Sequence, residues 1–151
     1  MIEDSLSVRE MLSHIIRNDS RLELIASVSS AEEGIRLLPK LRPDVISLDI
    51  RLPGMNGLEA TLQIMSENPT PIVVIADNVQ GTDLNISMGA LRAGALAVVE
   101  KPVGQLHRDY EQNAGNICDQ LVTMSSIRLV RQRFNQIRKD SYERVRPPVT
   151  F

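Results

Sequence analysis

A run of β-branched residues without polar alternation, PIVVIAD (71–77), most constrains how this chain can fold. A strand of that composition is covered on both faces, as in a parallel sheet flanked by helices. The neighbouring segments change period. Gly57 to Glu67 reads as a helix carrying Leu58, Leu62 and Met65 on one face, and a second helix runs from about Leu84 to Ala93 and stops at Gly94. DVISLD (44–49) and ALAVVE (95–100) are further short apolar runs with the length of buried strands. Strands alternating with helices imply βαβ units, hence an α/β fold with a parallel sheet.

Upstream, Val8, Met11, Leu12, Ile15 and Ile16 form one helical face, with Ser7 and Glu10 in front at capping-box spacing. LELIASV (22–28) reads as a strand. Ser30 and Glu33 form a second capping-box pattern, before a helix through Ile35, Leu38 and Leu41. Pro39 lies inside that helix and is expected to end or kink it.

The chain's 151 residues, 42% hydrophobic and 24% charged, suit one domain with its own core. Residues 1–104 carry 9 basic and 14 acidic side chains; residues 105–151 carry 8 basic and 5 acidic. Aromatic residues make up only 3%, which disfavours a base-stacking surface and nucleic acid as a partner. Cys118 is the single cysteine, so no intrachain disulfide forms and a reducing cytoplasm is the expected setting. No apolar run has the length of a membrane span, and no membrane partner is expected. His14 and His107 are too few for a metal site of their own.

In an open parallel sheet, ligands bind outside the carboxyl ends of the strands. Asp49 ends one strand there, Lys101 ends the last, and Glu3 and Asp4 stand where a first strand would end. Three carboxylates in one place repel each other unless a cation joins them. A small set of hard oxygen ligands suits Mg²⁺. A carboxylate can also attack phosphorus to form an aspartyl-phosphate, with a metal on one phosphoryl oxygen and a cation such as Lys101 on another. Pro53, Gly54 and Gly57 let the chain double back close to such a centre.

EDS (3–5), LDIRLPGMNGLEA (48–60) and the pair Lys101-Pro102 resemble a response-regulator receiver domain over roughly residues 1–104. The resemblance implies a flavodoxin-like, doubly wound, five-stranded sheet in the order 2-1-3-4-5. It implies phosphorylation of Asp49 by a histidine kinase, Mg²⁺ held by Glu3, Asp4, Asp49 and the Arg51 carbonyl, and contact of Lys101 with the phosphoryl group. RPDVISLDIRLPGMNGLEAT (42–61), PTPIVVI (69–75) and ALRAGALAVVEKPVG (90–104) resemble, more narrowly, the receiver of chemotaxis protein-glutamate methylesterases. A methylesterase effector domain or receptor complex is the partner this implies. The chain itself has no nucleophile-elbow sequence, so it is not expected to be the esterase.

Three departures from the receiver pattern stand out. Ala76 occupies the position where receivers carry a Ser or Thr that donates to the phosphoryl group, and Val98 the position where they carry Tyr or Phe. These substitutions are expected to weaken switching, and they motivate an alternative reading as a receiver-fold interaction module. Only Met1 and Ile2 precede Glu3, so the first strand is truncated. The expectation is a chain that extends upstream, with a strand swapped from a partner as the alternative. A phosphatase of the haloacid type would need a second acid two residues after Asp49, where Arg51 stands.

Residues 105–126 are expected to form a fifth helix, with Ile117, Leu121, Met124, Ile127 and Phe134 as an apolar stripe. Residues 127–151 read as a basic linker or tail. It is either a solvated extension or a segment that dimerises the chain or contacts an effector.

Overall fold

The computed structural model describes residues 1–77, 84–104, 106 and 108–129. His107, Phe134 and the tail from 130 onward lie outside the described residues. Among the described residues five helices and three strands follow one another: α1 (Leu6–Arg17), α2 (Ala31–Leu41), β1 (Ile46–Asp49), α3 (Gly57–Glu67), β2 (Ile72–Ala76), α4 (Leu84–Ala93), β3 (Ala97–Glu100) and α5 (Tyr110–Ser125).

The strands pair in parallel in the order β1-β2-β3, with Leu48 opposite Val74 and Val74 opposite Val98. Because side chains alternate across a strand, β2 feeds two separate cores. Ile72, Val74 and Ala76 pack with Leu38, Ala60, Ile64 and Ala90 on the α2–α3–α4 side. Val73 and Ile75 pack with Leu12, Ile16, Ile117 and Leu121 on the α1–α5 side. All five residues of β2 are buried, which explains the absence of polar alternation in that run.

The sheet continues past β1 only as single bridges: Ile2 pairs in parallel with Leu48 on one side and Val28 on the other. Reading across gives Val28, Ile2, β1, β2, β3, which is the flavodoxin-like order 2-1-3-4-5. The expected strand at 22–28 is reduced to Val28. A strand needs a ladder partner, and only the backbone around Ile2 is available to pair with it. Between 22–28, α2 and β1 lies a cavity of about 500 Å³, lined by Leu22, Leu24, Leu38, Val45 and Ser47.

Local expectations are corrected at three helices. The cap of α1 is Ser5, whose hydroxyl accepts the Val8 N–H, so Ser7 lies inside the helix. Helix α2 continues through Pro39 and ends at Leu41, with Arg42 in the left-handed region at φ 45°. The buried face of α3 is Gly57, Ala60, Thr61 and Ile64, while Leu62 is exposed. The complete capping box lies at Asn56 and Glu59. Ile117, Cys118 and Leu121 of α5 are buried, and Ile127 falls beyond its end.

Candidate functional site

Backbone pairing brings the acids together. Ile2 accepts the Asp49 N–H at 3.0 Å, and the next residue, Glu3, donates its N–H to the Val28 carbonyl at 3.0 Å. Glu3 and Asp49 therefore emerge side by side at the carboxyl edge, 1% and 4% exposed, with exposed Asp4 beside them. One carboxylate oxygen from each of Glu3, Asp4 and Asp49 lies within 4.8 Å of the others. The Lys101 N–H donates to the Ala76 carbonyl at 2.8 Å, which fixes that lysine at the end of β3. Its Nζ sits 3.1 Å from Glu3 Oε2, 3.2 Å from Asp49 Oδ2 and 3.6 Å from Asp77 Oδ1.

The turn after Asp49 is tied down at several points. The Arg51 N–H donates to Asp49 Oδ1 at 3.2 Å. Gly54 has φ 72°, a conformation natural to glycine. Gly57 donates to the Ile50 carbonyl at 3.0 Å, and a Cβ there would stand 2.6 Å from the Asp49 carbonyl oxygen. From α2, Glu32 Oε1 accepts the Met55 N–H at 3.0 Å, and a bond from its own backbone N–H together with this one holds the Glu32 carboxyl below the usual range.

The electrostatics follow from burial and an excess of acids. Burial raises the Glu3 pKa, with the Asp49 charge adding to the rise against the pull of Lys101. For Lys101, burial disfavours the charge most, but Asp49, Glu3 and Asp77 together outweigh it and hold the pKa above that of an ordinary lysine. Among the described residues, buried Glu3 Oε2 has the Lys101 ammonium 3.1 Å away as its ion-pair partner and no hydrogen bond in good geometry. Three converging acids share a single ammonium, a charge excess that a hard divalent cation would satisfy, and the group fits Mg²⁺ by donor type.

All four expected acid and lysine side chains thus meet at one place. Ala76 is buried at the end of β2, and Val98 packs half-buried against the α2–α3–α4 core. Asp77 and Glu32 escaped the sequence reading. Asp77 directly follows the last residue of β2, so the strand-end rule that found Asp49 and Lys101 also covers it.

A match to the response regulator receiver domain spans residues 1–108. The chain belongs to the receiver domain family. This receiver is 59% identical over 136 residues to a protein-glutamate methylesterase/protein-glutamine glutaminase of Paramagnetospirillum magneticum, covering 90% of this chain and 39% of that one. It is 38% identical over 148 residues to a protein of the same description from Hahella chejuensis, covering 98% of this chain and 42% of that one. The receiver therefore spans about two fifths of the length of these curated relatives. The solved response regulator domain of Thermotoga maritima CheB superposes with a TM-score of 0.74 at 26% identity, covering 85% of this chain and 95% of that one. As a receiver it is a phosphoacceptor module of two-component signalling, similar to the receiver portion of the methylesterase relatives, and nothing in the matches favours a bare interaction module. Among the described residues no helix is long and apolar enough to cross a membrane.

Proposed function

We propose that Asp49 is the phosphoacceptor, and that it receives the phosphoryl group from a histidine kinase. A carboxylate oxygen of Asp49 attacks phosphorus, the bond from phosphorus to the donor breaks, and its electron pair leaves with the donor. Asp49 becomes a mixed carboxylic–phosphoric anhydride. Glu3, Asp4, Asp49 and the Arg51 carbonyl would hold Mg²⁺, which when bound offsets charge on a phosphoryl oxygen. Lys101 presents its ammonium to another, and the Arg51 N–H holds the Asp49 carboxylate in orientation. The observation that carries this reading is the buried Lys101 ammonium 3.2 Å from Asp49 Oδ2 inside the three-acid cluster.

The output would be control of a methylesterase effector, as in the relatives. Residues 1–104 would be the receiver core, 105–126 the segment that carries its last helix, Tyr110–Ser125, and 127–151 a basic connection toward that effector or a second copy. A cytoplasmic setting accords with the single, unpaired cysteine.

Incubation with acetyl phosphate and Mg²⁺, followed by intact-mass measurement, tests the assignment. Wild type should gain one phosphoryl group and Asp49→Asn none; an equal gain in the variant removes Asp49 from the role. The Mg²⁺ assignment predicts weak saturable binding that Asp49→Asn diminishes, and unchanged binding would take Asp49 out of the metal shell. Ala76 lacks a donor to the phosphoryl group, and a hydrogen bond to a charged group contributes about 1.5–3 kcal/mol. Ala76→Thr should therefore raise the phosphorylation rate about tenfold or more, and an unchanged rate would show that the site does without that hydroxyl.

A further inference from the structure

We propose that Asp77 is a positioning residue for this reaction, one that competes with the incoming phosphoryl group for the Lys101 ammonium. The inference rests on the phosphoacceptor reading of Asp49. Lys101 Nζ is engaged by three carboxylates, at 3.1 Å from Glu3, 3.2 Å from Asp49 and 3.6 Å from Asp77. These three ion pairs crowd the ammonium, so a phosphoryl oxygen arriving on Asp49 competes with them for its charge and its N–H donors. The Glu3 and Asp49 side chains are 2% and 4% exposed, whereas that of Asp77 is 64% exposed. Releasing a buried carboxylate strands an unpaired charge, and releasing an exposed one returns it to water. Asp77, the most distant and most hydrated of the three, is therefore the partner that yields.

Two effects act in the same direction. Asp77 draws Lys101 away from the position where it would meet phosphoryl oxygen, and its own negative charge opposes the arriving anion. Its placement is enforced by the backbone, because the Lys101 N–H bonds the carbonyl of Ala76, the residue just before it. Ala76 carries no hydroxyl, so at the end of β2 the phosphoryl group would meet a carboxylate next to a methyl group. Hydrolysis differs. Neutral water attacks a phosphoryl group that already feels Asp77, so the repulsion is common to ground and transition states and largely cancels.

The test uses beryllofluoride, an anionic mimic of the phosphoryl group, titrated at saturating Mg²⁺ and followed by amide NMR. Asp77→Asn should bind it about two- to fivefold more tightly than wild type, the range for one partly screened ion pair. Acetyl phosphate should phosphorylate that variant faster by a similar factor, with little change in aspartyl-phosphate lifetime. Asp77→Glu should return both values toward wild type, and added salt should narrow the gap. Melting temperatures should coincide, since Asp77 is mostly hydrated. Equal or weaker beryllofluoride binding by Asp77→Asn overturns the proposal while leaving Asp49 as phosphoacceptor. If wild type neither binds beryllofluoride nor accepts phosphate, the phosphoacceptor reading fails and takes this proposal with it.

Discussion

The two sides of the sheet are built very differently. From β1 to β3 each pair of neighbours is joined over four residues. On the other side of β1, Ile2 makes one bridge to Leu48 and one to Val28. That thin side hangs on the Ile2 N–H to the Ser47 carbonyl at 2.9 Å, its carbonyl to Asp49, and the exchange between Val28 and residues 1–3. The robust side supplies Asp49, Lys101 and Asp77, and the thin side supplies Glu3 and Asp4. A site can therefore draw half its acids from the least supported part of a fold, and there loss of stability and loss of ligand binding should be coupled.

The largest expected effect comes from emptying each side of one buried side chain. Ile2→Ala and Ile72→Ala, at sites 3% and 0% exposed, should each lower unfolding free energy by about 2–5 kcal/mol in urea titrations. Only Ile2→Ala should also weaken Mg²⁺ binding under conditions where the protein remains folded. Equal weakening by both would erase the distinction between the two sides.

The next effect is pH dependence. Burial lowers the Met1 ammonium pKa to about 6 from 8.0, while the ammonium donates to the Ala26 carbonyl at 2.9 Å. Between those values the unfolded chain holds the extra proton. Stability should therefore rise as pH climbs from about 6 to 8, by at most about 2–3 kcal/mol. Urea midpoints across this range check the slope, and a flat response would place Met1 in water.

A smaller effect should follow from filling the thin side. The alternation of β1 turns the Ser47 N–H the same way as that of Asp49, toward the cavity beside Val45. An extension fused upstream of Met1, alternating Val with Thr, should lie there and raise stability by about 1–2 kcal/mol through added backbone bonds. It should also abolish the pH slope assigned to Met1, because an ammonium becomes a peptide N–H. Smallest of all, Cys118→Ala should cost about 1 kcal/mol, since it removes one small buried group from the α1–α5 core.

Much of this was legible in residue order. The spans Gly57–Glu67 and Leu84–Ala93 read directly, the second because Gly94 stops it, although the period placed exposed Leu62 on the buried face of the first. Asp49 and Lys101 were legible because a parallel sheet presents its strand ends on one edge. The 22–28 segment reads as a strand from its apolar residues, but Leu22 and Leu24 are only half-buried beside the cavity, Ile25 is exposed, and strand formation depends on a partner elsewhere in the chain. Ser5 was passed over for Ser7 because both hydroxyls stand near the helix start, and only the backbone path decides which faces the free N–H groups. The Lys101–Asp77 contact was hidden because a carboxylate after a strand usually meets only solvent; here Lys101 is carried to it by the Ala76 carbonyl.

Lys101 also bears on the order of folding. It joins Glu3, near one end of the chain, to a residue at the close of the last strand, so the contact closes one of the longest loops in the domain. Contacts of such separation form late, after the local helices and the β1–β2 pairing. During synthesis Glu3 and Asp4 leave the ribosome long before Lys101 does, and until then Glu3 and Asp49 must remain hydrated and apart. Ammonium and carboxylates would meet only when the final strand docks, so the acid cluster reports that the whole domain has closed.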